Sequence, residues 1–318
     1  MTLYSPPPAG TDVVWLSSAR LRAGIVPGLG GRMLSLSLDG RELLWRDRSM
    51  TDDRLQPLVA PRVPTSGASY DEWQNWGGDK TWPAPQGSGP TQWPGPPDAI
   101  LDGGAYVVEH VAERSITMRS SFDEKSGLRI SRSILLSESA DPEPGYVQVV
   151  STLTNESART IRWAAWEVAQ FPFTTDDMNS ADAGIYVEVN GESEVRSLFN
   201  PVGTIAVERQ SASVLRALFC NAVGKLGFPH TTGRVALVHA DGSTVRLEFR
   251  IVAEASQYPD GSPFQLWMQT PVSSTLPGLE GLRPTEPLVE LEPTSPSTVL
   301  APGKSVSLTV TWTPGQGI

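Results

Sequence analysis

The chain has 318 residues, 35 acidic against 25 basic side chains, a net charge of −10 with neutral His, 39% hydrophobic residues and one cysteine. That length allows one to three domains and a sizeable core. A single cysteine excludes an intramolecular disulfide framework and a cysteine-based metal site, and an acidic balance without any run of five Lys or Arg argues against nucleic acid or an acidic membrane as partner.

Met1–Pro8 has no basic segment followed by an apolar one, and no stretch of about 18 apolar residues occurs, so a soluble, cytoplasmic protein is expected. Met33–Leu38 alternates, with Leu34, Leu36 and Leu38 on one face and serines on the other, and Asp39-Gly40 turns it into Arg41–Trp45 as a hairpin. The same device follows Ile185–Val189 at Asn190-Gly191, and joins Val235–His239 to Thr244–Phe249 at Asp241-Gly242. Further strands are expected at 106–111, 114–121, 128–138, 146–155, 161–170, 214–220, 264–270, 287–292 and 305–312, many rich in Val, Ile, Thr and aromatics. No long segment repeats every 3.6 residues. About fifteen short strands with frequent Gly, Pro, Asn and Asp punctuation predict an all-β sandwich or barrel, read as a single domain over residues 1–318.

Residues 46–104 interrupt this rhythm with nine prolines, four of the ten tryptophans and no run that reads as a strand. Disordered segments are poor in aromatics, and proline lowers the entropy lost in holding an irregular path. An ordered, proline-stiffened loop over one face of the sandwich is therefore expected.

Three segments carry candidate chemistry. Within Trp73–Gln86, Trp76 and Trp82 stand beside Asp79, Lys80 and Gln86, the mixture a pyranose needs, since it offers an apolar C–H face and a rim of hydroxyls. Gly77-Gly78 would let the backbone approach a ligand. If 163–170 is a strand, Trp166, Val168 and Gln170 share one face and Trp163, Ala165, Glu167 and Ala169 the other. Glu290 and Glu292, two apart on a strand, share a face and form a pair suited to general acid or base work. Each has a plainer reading: tryptophans as the core of a long loop, Trp166 as a core residue, the glutamates as the solvent face of an edge strand. The three histidines, His110, His230 and His239, show no metal-ligand spacing, and Gly28–Gly31 lacks the strand, helix and distant acid of a dinucleotide loop. No metal and no cofactor is expected.

In order along the chain, Pro27–Leu36 with Asp39–Trp45, Val147–Asn155, and Val289-Glu290 through Leu300-Ala301-Pro302-Gly303-Lys304 resemble the galactose mutarotase-like (aldose 1-epimerase-type) superfamily. Trp76–Gln86 resembles more narrowly a branch known only as a domain of unknown function. The resemblance implies a β-supersandwich with a sugar cleft on its concave face and a mono- or oligosaccharide as partner. It implies Glu290, with Glu292 second, as the base that removes the anomeric proton. The histidine acid of aldose 1-epimerases has no counterpart: the comparable stretch reads Trp163-Ala164-Ala165-Trp166-Glu167. Lys80 or Lys225 would stand in for it. Two functions follow, an epimerase-type isomerase or a non-catalytic sugar-recognition module. A third class, a sandwich serving only in assembly, would hold Trp82 and Glu290 more than about 15 Å apart, beyond the reach of one saccharide in an ordinary pocket.

Overall fold

The computed structural model describes residues 12–62, 69–89, 91–138 and 145–317; Met1–Pro8, Pro64 and Pro90 lie outside them. Its strands form two antiparallel sheets. The 11-stranded sheet runs, in spatial order, Val14–Ser17, Leu21–Val26, Arg32–Leu38, Asp79–Ala84, Ile161–Pro172, Leu288–Pro293, Phe264–Gln269, Val223–Phe228 and Arg196–Val202, with Arg41–Glu42 and Thr298–Leu300 as short additions. The 10-stranded sheet runs Val207–Ser211, Val214–Ala217, Gly184–Val189, Thr231–Val238, Ser243–Phe249, Ser305–Gln316, Tyr146–Asn155, Leu128–Ser137, Ser115–Arg119 and Val107–Ala112. Their facing sides bury the alternate apolar residues of each strand, as where Phe171 meets Trp312 with ring centroids 5.6 Å apart.

The strands expected between 106 and 312 are all present, most within two residues of the expected ends. Asp39-Gly40 and Asp241-Gly242 close hairpins, but Asn190-Gly191 does not. Gly184–Val189 pairs with Val214–Ala217 and Thr231–Val238, while the chain after Asn190 crosses to the other sheet. The dipeptide supplies the turn; the burial of Ile185, Val187 and Val189 decides the pairing. A bulge at Leu34, where Gly24 faces Ser35 and Ile25 faces Met33, separates it from Leu36 and Leu38 and places it in a second cluster with Val26, Leu29, Leu55 and Trp76.

Residues 46–104 are not irregular throughout. Asp79–Ala84 is a strand wedged between Arg32–Leu38 and Ile161–Pro172, with all six residues buried. Buried on both sides, it shows no apolar–polar alternation, and a proline argues against a central strand. Pro83 is tolerated because its partner, Ala165, directs its own N–H and C=O to Ser295. On the other side, pairing with Arg32–Leu38 is confined to Met33 with Asp79. Gly77-Gly78 serves this insertion: both have positive φ, and a Cβ would lie 2.5 Å from the Trp45 carbonyl oxygen at Gly77 and 2.4 Å from that of Met33 at Gly78. The closing segment is anchored similarly. Asn155 Nδ2 donates to the carbonyls of Arg159 and Leu300, and Gly303 N–H donates to the Asn155 carbonyl.

One polar cluster joins the sheets. Arg132 occupies an inward position of Leu128–Ser137 between Ile130 and Ile134 and is fully buried. Its guanidinium pairs with Asp79 and, at 2.7 Å, with Glu167, and it donates to the carbonyl of Gly31 at 2.7 Å. Thr81 and Ser151 complete the cluster by donating to Glu167 at 2.7 and 2.8 Å. Burial, with Glu167 adding to it, pushes the Asp79 carboxyl well above its ordinary range, against the pull of Arg132. Removing the cation leaves two acids facing each other in the core. Arg132→Met is expected to lose about 3–5 kcal/mol in urea unfolding; a loss below about 1 kcal/mol, the scale of an exposed pair, would show that the cluster does not hold the sheets together.

Candidate functional site

Alternation along three adjacent strands decides what the outer face of the 11-stranded sheet carries. With Asp79 and Thr81 turned inward to Arg132, Lys80 and Trp82 point outward. In Ile161–Pro172, Glu167 points inward, and Trp166, Val168 and Gln170 outward. In Leu288–Pro293, Val289 and Leu291 enter the core, and Glu290 and Glu292 face out. The register aligns these residues: Trp82 stands opposite Trp166, Lys80 opposite Val168, and Glu290 opposite Gln170.

Lys80 Nζ lies 3.7 Å from Glu290 Oε1 and 4.6 Å from the Trp82 ring centroid. Trp82 and Glu290 thus flank one ammonium. Lys80 is 1% exposed and its ammonium has no hydrogen-bond partner among the described residues. Burial lowers its pKa to about 8, against the pull of Glu290. Gln170 Nε2 donates to the same Glu290 oxygen. A second pair stands beside the first: Lys225 Nζ lies 2.7 Å from Glu292 Oε2, which also accepts from Trp166 Nε1 at 2.9 Å. Burial raises Glu292 to about 7, with Lys225 acting against the rise and Glu290 adding to it.

Three expected residues are not brought here. Asp79 is on the opposite face of its strand, in the Arg132 cluster. Trp76 packs in the second apolar cluster, because the Gly77-Gly78 turn separates it from the strand that carries Trp82. Gln86 is exposed at the margin and donates to Tyr70 Oη at 3.2 Å.

The tryptophans on this face are sealed rather than open. The Trp82 ring meets Trp93 at 5.1 Å and Trp166 at 5.3 Å, and its Nε1 donates to Asp102 at 3.1 Å. Asp102 also accepts from Trp73 Nε1 at 2.8 Å and pairs with the buried Arg32. This Arg32–Asp102 anchor, absent from the sequence reading, ties the 98–104 segment over the sheet. Burial raises the pKa of Tyr70, and the charges of Glu290 and Asp102 add to that rise. Trp267, directly opposite Glu290, was also missed. Period-two alternation in Phe264–Gln269 puts Gln265, Trp267 and Gln269 on one face and is the signal that could have found it.

The histidines lie elsewhere. His239 Nδ1 is 3.2 Å from Asp177 Oδ2, His110 is in the edge strand Val107–Ala112, and His230 precedes Thr231–Val238. Among the described residues no group of three or more His, Cys, Asp or Glu is placed to hold a metal ion, and no helix is long and apolar enough to cross a membrane.

The sequence matches the domain of unknown function DUF4380 over residues 12–314. The chain belongs to the DUF4380 family. No curated protein matches this family member's sequence. Solved structures share its fold: a galactose mutarotase-like protein from Lactobacillus casei, at 12% identity and a TM-score of 0.57, aligns over 96% of this chain and 100% of its own. A galactose mutarotase related enzyme from Lactobacillus acidophilus aligns over 96% and 98%, at 14% identity and a TM-score of 0.56. The DUF4380 chain has the sandwich fold of these galactose mutarotase-like structures.

Lys80 also leaves a signature in stability. A lysine whose folded pKa of about 8 lies below its ordinary 10.5 binds fewer protons folded than unfolded between those values. Its charge therefore destabilises the fold below pH 8, and the effect fades as pH rises to 10.5. Lys80→Met is expected to be more stable than wild type by up to about 3 kcal/mol at pH 7 in urea unfolding, the difference narrowing towards pH 10.5. A variant less stable than wild type at pH 7 would contradict this.

Proposed function

We propose that this protein binds an aldose on the outer face of the 11-stranded sheet and interconverts its anomers by proton transfer, with Glu290 as base and Lys80 as acid. The observation that carries the reading is the Lys80 ammonium: buried, without a hydrogen-bond partner, and 3.7 Å from Glu290. An acid and a base at that separation can address two oxygens bonded to one carbon. Glu290 would remove the O1 proton of the pyranose as the C1=O bond forms and C1–O5 breaks, and Lys80 would protonate O5. Rotation about C1–C2 and the reverse steps give the other anomer. A lysine with a pKa of about 8 is mostly protonated at neutral pH yet gives up its proton readily, the compromise a general acid needs. The fold shared with galactose mutarotase-like structures supports the substrate class. Trp166, Gln170, Lys225 and Glu292 would hold the sugar or orient Glu290.

Recognition without chemistry is favoured by one observation: each histidine is placed away from this face. The two readings separate in magnetisation-exchange NMR on an aldose panel. Anomer exchange is expected to be accelerated by wild type and to fall to the uncatalysed rate in both Glu290→Gln and Lys80→Met. Saturable binding with no acceleration by wild type would leave recognition alone, and acceleration preserved in Glu290→Gln would remove Glu290 as base.

A further inference from the structure

We propose that Phe199 and Trp267 form a second sugar subsite beside Glu290, so that the ligand is a reducing disaccharide with its reducing unit at Lys80 and Glu290. This rests on the reading of the face as an aldose site. Phe199, Lys225, Trp267, Glu290 and Gln170 are successive cross-strand partners, and partners project to the same side of a sheet. At strand spacing, Phe199 stands about 14 Å from Glu290, a span longer than one pyranose ring.

The exposure pattern is unequal along this face. Lys80, Trp82, Trp166, Gln170 and Glu292 are at most 4% exposed, whereas the side chains of Glu290 and Lys225 retain 11% and 16%. Phe199 and Trp267 are half-buried. The open end therefore lies on the side of Trp267 and Phe199. Their rings are nearly parallel, 19° between planes and 6.1 Å between centroids. Bulges on both sides of Phe199 re-aim that residue within its strand. Trp267 Nε1 donates to Gln269 Oε1 at 3.2 Å, which fixes the indole. Gly278 packs beside the Phe199 ring with backbone and no side chain. Lys225, between the two residues in the row, reaches sideways to Glu292. Two oriented, half-buried aromatic rings next to a cation and a carboxylate offer what a second pyranose requires, a C–H stacking surface with polar groups at its rim.

Isothermal titration of the full chain with maltose, cellobiose and lactose, against glucose and galactose, tests this. At least one disaccharide is expected to bind about tenfold tighter than its reducing-end monosaccharide. Phe199→Ala and, independently, Phe199→Leu, which keeps apolar bulk without the ring, should erase that advantage while leaving monosaccharide affinity within about twofold, the smaller side of one aromatic contact. Monosaccharide binding with no disaccharide preference, or equal weakening of both ligands by the Phe199 variants, overturns the second subsite and leaves the aldose reading standing. Absence of any sugar binding by wild type overturns both.

Discussion

The side chains that the central strands turn to the outer face depend on a charge that solvent never reaches. Arg132 rises from the 10-stranded sheet and grips Asp79 and Glu167, one from each of two neighbouring strands of the other sheet. In a strand a slip of one residue exchanges the two faces entirely. Holding Asp79 and Glu167 inward therefore holds Lys80, Trp82, Trp166, Val168 and Gln170 outward. Asp79–Ala84 most needs such a pin, because it pairs with Arg32–Leu38 only through Met33 and carries a proline. Apolar packing alone would not specify its parity, since all six of its residues are buried.

On the outer face the same logic of buried charge is turned to a different end. Lys80 has its carboxylate at 3.7 Å, without a hydrogen bond, while Lys225 has one at 2.7 Å that also accepts from Trp166. The first pair is loosely satisfied and the second is closed. A satisfied ion pair positions; an unsatisfied buried ammonium retains capacity for a new partner, and a ligand oxygen is the natural one. Trp82, Trp166 and Trp93 exclude water around it, which strengthens any such contact. The Arg32–Asp102 pair and the two indole N–H groups it receives hold the covering segment in place. Order in the 46–104 region thus rests on buried polar contacts as well as on proline.

Much of this was legible in the sequence. Period-two runs located most strands of the 10-stranded sheet, and alternation grouped Trp166, Val168 and Gln170 on one face of Ile161–Pro172, the face that the strand turns outward. The alternation Leu128, Ile130, Arg132, Ile134 also carried the key charge, an arginine on an apolar face that must find partners within the core. Its partners lie 53 and 35 residues away in the chain, and that pairing is a tertiary fact no local pattern contains. Asp79–Ala84 was hidden for a different reason. A strand buried on both faces loses the alternation by which strands are recognised, and Pro83 contradicts propensity in a place where its missing N–H has no partner to lose. Reading the segment as a loop brought Asp79, Lys80 and Trp82 to one site, whereas the strand sends Asp79 the other way. Trp267 was overlooked because its importance comes from the register that sets it against Glu290.

On the proposed reading, a reducing sugar occupies the space outside Lys80 and Glu290. A crystal structure of the protein soaked with a reducing disaccharide tests this most directly. The anomeric carbon is expected next to Glu290, with O5 or O1 within hydrogen-bond distance of Lys80 Nζ and the second ring against Trp267. Sugar bound elsewhere on the molecule, or this face empty at saturating sugar, would contradict it.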